Sequence, residues 1–123
     1  MKNLFKKTRH WGQLTIIDLF EGNQRLLKDK KKIKEFIKIL TKKINMKLYG
    51  KPIIKRFGKR ELKGYSLMQF IETSSIVIHI DECKKRVFID IFSCKRFNPK
   101  IVEEFSKEFF KAHKSKKKTI YRG

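Results

Sequence analysis

The chain lacks any apolar run near the ~20 residues that a membrane-spanning helix needs, and its opening Met1-Lys-Asn-Leu-Phe-Lys-Lys lacks the apolar stretch of a signal peptide. A cytoplasmic protein is the expectation. Cysteine is scarce: Cys83 and Cys94 are the two present, and they are not opposed in either hairpin register derived from the sequence, so no disulfide is expected. No zinc-ligand spacing, helix-turn-helix or aromatic RNA-binding strand motif stands out, and there is no internal repeat. Acidic residues are few, 12 against 33 lysines and arginines, which leaves a net charge of +21.

That charge, with eleven phenylalanines, is a composition shared with nucleic-acid binders, because Lys and Arg displace counterions from phosphates. A non-catalytic nucleic-acid-binding protein is therefore the alternative from another class. The charges are spread along the chain, however, with local runs only at Lys30-Lys31-Lys32 and Lys116-Lys117-Lys118, so a solvated basic surface accounts for them. A cationic substrate would reach such a protein only through a local acidic pocket.

At 123 residues the chain is one domain with a single modest core. Trp11 to Phe20 reads as a strand ending in the turn Glu21-Gly22-Asn23. Asp29 is positioned to cap a helix in which Ile33, Phe36, Ile37, Leu40 and Ile44 recur at helical spacing. Lys47 to Phe57 is a further strand with a bent entry at Gly50-Lys51-Pro52. Asn98-Pro99, a capping residue before proline at the first helical position, opens a second helix with the stripe Ile101, Val102, Phe105, Phe109 and Ala112. Lys118 to Arg122 closes as a short strand. The expected fold is an α+β two-layer sandwich, a mainly antiparallel sheet with two helices on one face, in the order βαβββαβ. Its other face is left to pair with a second sheet in a dimer.

The informative stretch runs from Tyr65 to Cys94. It is rich in β-branched and aromatic residues on either side of the polar breaks Glu72-Thr73 and Asp81 to Lys85, the pattern of consecutive hairpins. With the first turn at Glu72-Thr73, facing residues have numbers summing to about 145, which sets Ser66 across from His79. With the second turn near Lys84 the sum is about 168, which sets Ser74 across from Cys94. Ser74 and His79 are five residues apart on one extended strand, about 16 Å. One protomer cannot gather all four. A two-fold dimer can, by laying the Ser66/His79 pair of one copy against the Ser74/Cys94 pair of the other, twice.

These residues resemble the prokaryotic, pyruvoyl-dependent S-adenosylmethionine decarboxylases. The signature of that family is a serine at a self-cleavage point, a histidine five residues on, a serine eight before and a cysteine twenty after. Ser74, His79, Ser66 and Cys94 stand at those intervals. A weaker likeness runs from His10-Trp11 through Asp18-Leu-Phe to the last helix.

The resemblance implies a self-made cofactor. Ser74 would attack the Thr73 carbonyl, and elimination would split the chain into 1–73 and 74–123, leaving a pyruvoyl group at position 74. Ser66 and His79 would assist this processing. The ketone would condense with the substrate amine and take up the electrons released as carbon dioxide leaves, with no metal and no pyridoxal phosphate. Cys94 would return a proton to the α-carbon. The substrate would be S-adenosylmethionine, on the way to spermidine.

The chain departs from the family pattern at Thr73, where glutamate is usual, Glu72 being one step earlier. Cys83 falls where a ribose-binding carboxylate belongs, with Glu82 beside it. Arg60 stands at the adenine-stacking position, with Phe57 three residues away. Because these positions concern recognition, ornithine or arginine is the alternative substrate, with Glu61, Asp81, Glu82 and Asp90 available for an acidic pocket. The glycine-flanked loop Gly58 to Gly64 would border the substrate.

Overall fold

In the computed structural model, residues 10–123 are described; the signal-peptide reading of the opening segment lies outside them. Strand β1 (Gly12–Phe20) is followed by a short helix α1 (Gln24–Leu27) and by α2 (Lys30–Lys43). Strands β2 (Leu48–Phe57), β3 (Gly64–Ile71), β4 (Ser74–Asp81) and β5 (Arg86–Ser93) then run without an intervening α-helix, with one 3-10 turn at Arg60–Leu62. Helix α3 (Pro99–Phe109) and β6 (Lys114–Arg122) complete the chain. The six strands form one antiparallel sheet in the order β2-β3-β4-β5-β1-β6.

The two-layer α+β architecture is as the sequence implies, but four strands rather than three separate the two long helices. The two hairpins share β4, and β2 stands as a full strand beside them. Its ladder with β3 slips between Tyr49 and Ile53, where Gly50 at φ 74° and Pro52 bend the entry. Strand β6 starts at Lys114 rather than Lys118, because all nine of its residues find partners along β1.

Local chemistry sets the helix starts. The Asp29 side chain accepts hydrogen bonds from the Lys31 and Lys32 backbone N–H groups, and Asn98 accepts one from Lys100 N–H ahead of Pro99. The α2 stripe Ile33, Phe36, Ile37, Leu40 and Ile44 is buried throughout. On α3 the stripe needs correction: Ile101 faces solvent, whereas Val102 and the following Phe110 are fully buried. Successive helical residues turn by about 100°, so Ile101 and Val102 cannot both face the sheet squarely. Phe36 stacks on Phe105 at 5.5 Å between centroids and meets Phe110 at 4.7 Å, tying the helices together.

Strand alternation sorts the sheet into two faces. Ile17, Leu19, Leu67, Ile71, Ile76, Ile78, Ile80, Val87, Ile89 and Ile91 are buried in the core toward the helices. The opposite face carries Ile53, Met68 and Phe70, each more than half exposed, together with Ser66 and His79.

Candidate active site

The β3–β4 hairpin turns through Glu72-Thr73, and its register pairs Ser66 with His79 as the sequence implies. Ser66 Oγ and His79 Nδ1 lie 2.9 Å apart on the open face. A hydroxyl and an imidazole at that separation form a hydrogen bond whose donor is set by the imidazole tautomer.

At the far end of the same strand the register differs from expectation. Ser74 lies opposite Ser93, not Cys94. The β4–β5 loop is Glu82 to Lys85, with Asp81 paired to Arg86, so its centre is half a residue earlier than a turn at Lys84. Two features hold it there: Lys85 takes a left-handed φ of 56°, and Asp81 Oδ1 accepts from Lys84 N–H at 3.1 Å. Ser74 alternates in phase with the buried Ile76, Ile78 and Ile80 along β4, and it shares that helix-side face with its partners Ile71 and Ser93. Its Oγ is buried with no hydrogen-bond partner among the described residues.

Cys94 instead meets the residue before it. Its Sγ is 2.7 Å from Thr73 Oγ1, which also donates to the Glu72 carbonyl at 2.6 Å. Thr73 has φ 58°, the left-handed region that a β-branched residue avoids. Around this turn is a cleft of about 500 Å³ between Tyr49, Phe70 and the segment Ile71 to Ser75. A second cleft, of about 240 Å³, lies beside His79 and is walled by Glu61, Leu62, Asp81, Arg86 and Phe88. The two clefts sit at opposite ends of β4.

The recognition candidates are arranged less freely than the sequence suggests. The Glu82 carboxylate is nearly buried and forms a two-pronged ion pair with Arg56, at 2.7 Å from Nε and 2.6 Å from Nη2. That pairing raises the Arg56 guanidinium above its ordinary value, the Glu82 hydrogen bond being the main cause. A ribose at Glu82 would have to displace the guanidinium. Cys83 is exposed in the loop, and both cysteines are free thiols. Phe57 is well exposed, with its ring available for stacking, while Arg60 opens the 3-10 turn at φ 53°.

Asp81 pairs with Arg86 at 2.6 Å. Burial alone would push its carboxyl up, but the Lys84 N–H and the Arg86 guanidinium together outweigh it and hold the group below the usual carboxylate range. Asp90, on the open face near His79, is pushed up by burial, an effect that nearby His79 opposes and Asp18 reinforces. Sequence reasoning missed Arg56 and Arg86 as partners of these acids and Thr73 as a contact of Cys94. No local signal marks the Arg56 pairing, which joins residues 26 positions apart. Among the described residues no three of His, Cys, Asp or Glu gather as metal ligands, and no helix is long and apolar enough to cross a membrane.

The family model for S-adenosylmethionine decarboxylase matches residues 13–123. S-adenosylmethionine decarboxylase proenzymes from two strains of Clostridium botulinum are each 31% identical over 116 residues, covering 94% of this chain and 97% of theirs. The crystal structure of the adenosylmethionine decarboxylase from Aquifex aeolicus superposes with a TM-score of 0.76, over 93% of this chain and 92% of that one, at 15% identity.

Proposed function

The chain belongs to the S-adenosylmethionine decarboxylase family, and from that premise we propose that it is a proenzyme that cuts itself between Thr73 and Ser74 and decarboxylates S-adenosylmethionine for polyamine synthesis. The observation that carries the site assignment is Ser74 itself. Its hydroxyl is buried, has no competing hydrogen-bond partner among the described residues, and directly follows a left-handed Thr73 in a two-residue turn. A serine oxygen beside the preceding carbonyl is what conversion to a pyruvoyl group requires, so the residues present fit that group.

A pyruvoyl ketone at position 74 supplies an electron sink for loss of carbon dioxide. The chain's own residues do the remaining work. Ser66 and His79 hold and move the proton needed in processing, through their 2.9 Å contact. Cys94 is bound to Thr73 Oγ1 in the uncleaved chain, and cleavage makes Thr73 a chain terminus, which frees the thiol to deliver a proton at the α-carbon. Phe57 offers an exposed ring to the adenine.

His79 and Ser74 lie about 16 Å apart along one strand, so the reading requires a second copy. The exposed Ile53, Met68 and Phe70 on the open face provide an apolar surface for it. A homodimer then places the cleft beside His79 of one protomer against the turn at residues 72–75 of its partner.

Substrate choice follows from charge. Of the four acids available for a small cationic amino acid, Glu82 and Asp81 are neutralised by Arg56 and Arg86, which weakens the case for ornithine or arginine. Parallel measurement of carbon dioxide release from S-adenosylmethionine, ornithine and arginine tests this: release from S-adenosylmethionine alone is expected, and release from either amino acid alone would reverse the assignment.

A further inference from the structure

Resting on the self-cleavage reading, we propose that Thr73 is a positioning residue for cleavage, acting through the backbone strain it carries into the bond that breaks. Among the described residues six non-glycine positions have positive φ: Glu21, Asn45, Arg60, Thr73, Lys85 and Lys111. Thr73 is the β-branched member of that set, and its branch crowds its own backbone in the left-handed region. A two-residue hairpin accepts glycine, asparagine or aspartate at such a position with little strain. The least suitable type stands next to the nucleophile.

The surroundings hold Thr73 in place. Ile71 pairs with Ser74 on one side of the turn, and Ser74 pairs with Ser93 on the other, so the turn cannot relax without breaking the ladder. The Thr73 hydroxyl is tied to both the Glu72 carbonyl and Cys94 Sγ. Strain persists only where the surrounding structure over-determines it, and here both strands and a side-chain bond do so.

The chemistry uses that strain at its first step. Ser74 Oγ bonds to the Thr73 carbonyl carbon as the carbon–nitrogen bond breaks, and the hydroxyl proton passes to the nitrogen. Thr73 is then linked through an ester to a side chain rather than through the peptide that fixed the hairpin, and it can leave the left-handed region. Loss of the Ser74 α-proton to a base next expels Thr73 as a carboxylate and leaves an enamine at position 74. Its imine tautomer takes up water and releases ammonia, leaving the ketone. No external oxidant or reductant enters.

The test uses the full chain with Thr73→Gly, Thr73→Asn and Thr73→Val, following the appearance of fragments 1–73 and 74–123 by intact mass. The same three changes are made on a Ser74→Ala background for thermal unfolding. Relief of strain in the glycine and asparagine variants is expected to slow cleavage about tenfold, equivalent to about 1.4 kcal/mol of barrier, while raising the unfolding temperature of the uncleavable protein. Thr73→Val keeps the branch without the hydroxyl and is expected to cleave within about threefold of the unaltered chain. A purely structural role would move stability and cleavage together, not in opposite directions. Undiminished cleavage in Thr73→Gly overturns the proposal, as does a valine variant as slow as the glycine one, which would assign the effect to the hydroxyl. An unaltered chain that never splits removes the self-cleavage reading as well; one that splits while Thr73→Gly splits equally fast removes the strain proposal alone.

Discussion

Ser66 Oγ lies 2.9 Å from His79 Nδ1 across β3 and β4, on the sheet face opposite the helices. The contact forms within one protomer, and the proposed processing chemistry assigns it the proton transfer. His79→Ala should therefore slow the appearance of the two fragments by roughly 10²- to 10⁴-fold, the usual worth of a proton-transfer group. Ser66→Ala should slow it less, because the imidazole remains. Timed intact-mass sampling after synthesis measures both, and unchanged cleavage in His79→Ala would detach the pair from processing.

Cys94 should separate cleavage from turnover. Cys94→Ala is expected to yield both fragments but to release carbon dioxide from S-adenosylmethionine at least about 10²-fold more slowly. In the proposed dimer each composite site would draw on two copies, so co-expressed His79→Ala and Cys94→Ala chains should complement each other. Random pairing gives one intact site in half of the dimers, which is about a quarter of full activity. Activity no higher than that of the separate variants would mean that each protomer works alone.

Acid stability should depend on Asp81. Its carboxyl is held below the usual range by the Lys84 N–H and by Arg86, against the opposing effect of burial. A folded-state value below the unfolded one stabilises the protein above the ordinary carboxylate pKa of about 3.9 and loses that contribution as pH falls through the lower folded value. Arg86→Met should reduce stability at pH 7 and flatten the loss of stability on acidification below about pH 4. Urea unfolding across that range measures it; a slope unchanged in Arg86→Met would assign the acid sensitivity elsewhere.

Much of this molecule can be read from short-range pattern. The α2 stripe from Ile33 to Ile44, its Asp29 cap and the Asn98-Pro99 start of α3 are local features, set by helical period and capping chemistry. The first hairpin was legible because a two-residue turn leaves little freedom of register. The second was not, since the left-handed Lys85 and the Asp81 to Lys84 bond shift its loop centre by half a residue. That small shift changed the partner of Ser74 from Cys94 to Ser93. The ion pair of Arg56 with Glu82 was beyond reach for another reason: it joins β2 to the β4–β5 loop, and nothing near either residue marks the other. Residues whose spacing reflects chemistry within one hairpin were visible, whereas those acting through distant packing were not.

Intact mass spectrometry of the purified protein, followed by treatment with a ketone-reactive hydrazine, is the most direct test of self-made cofactor chemistry. Two fragments ending at Thr73 and beginning at position 74 are expected, the second without a free amino terminus and gaining the hydrazine adduct. A single unsplit chain after prolonged incubation, or a second fragment that begins with an ordinary serine amine, would contradict it.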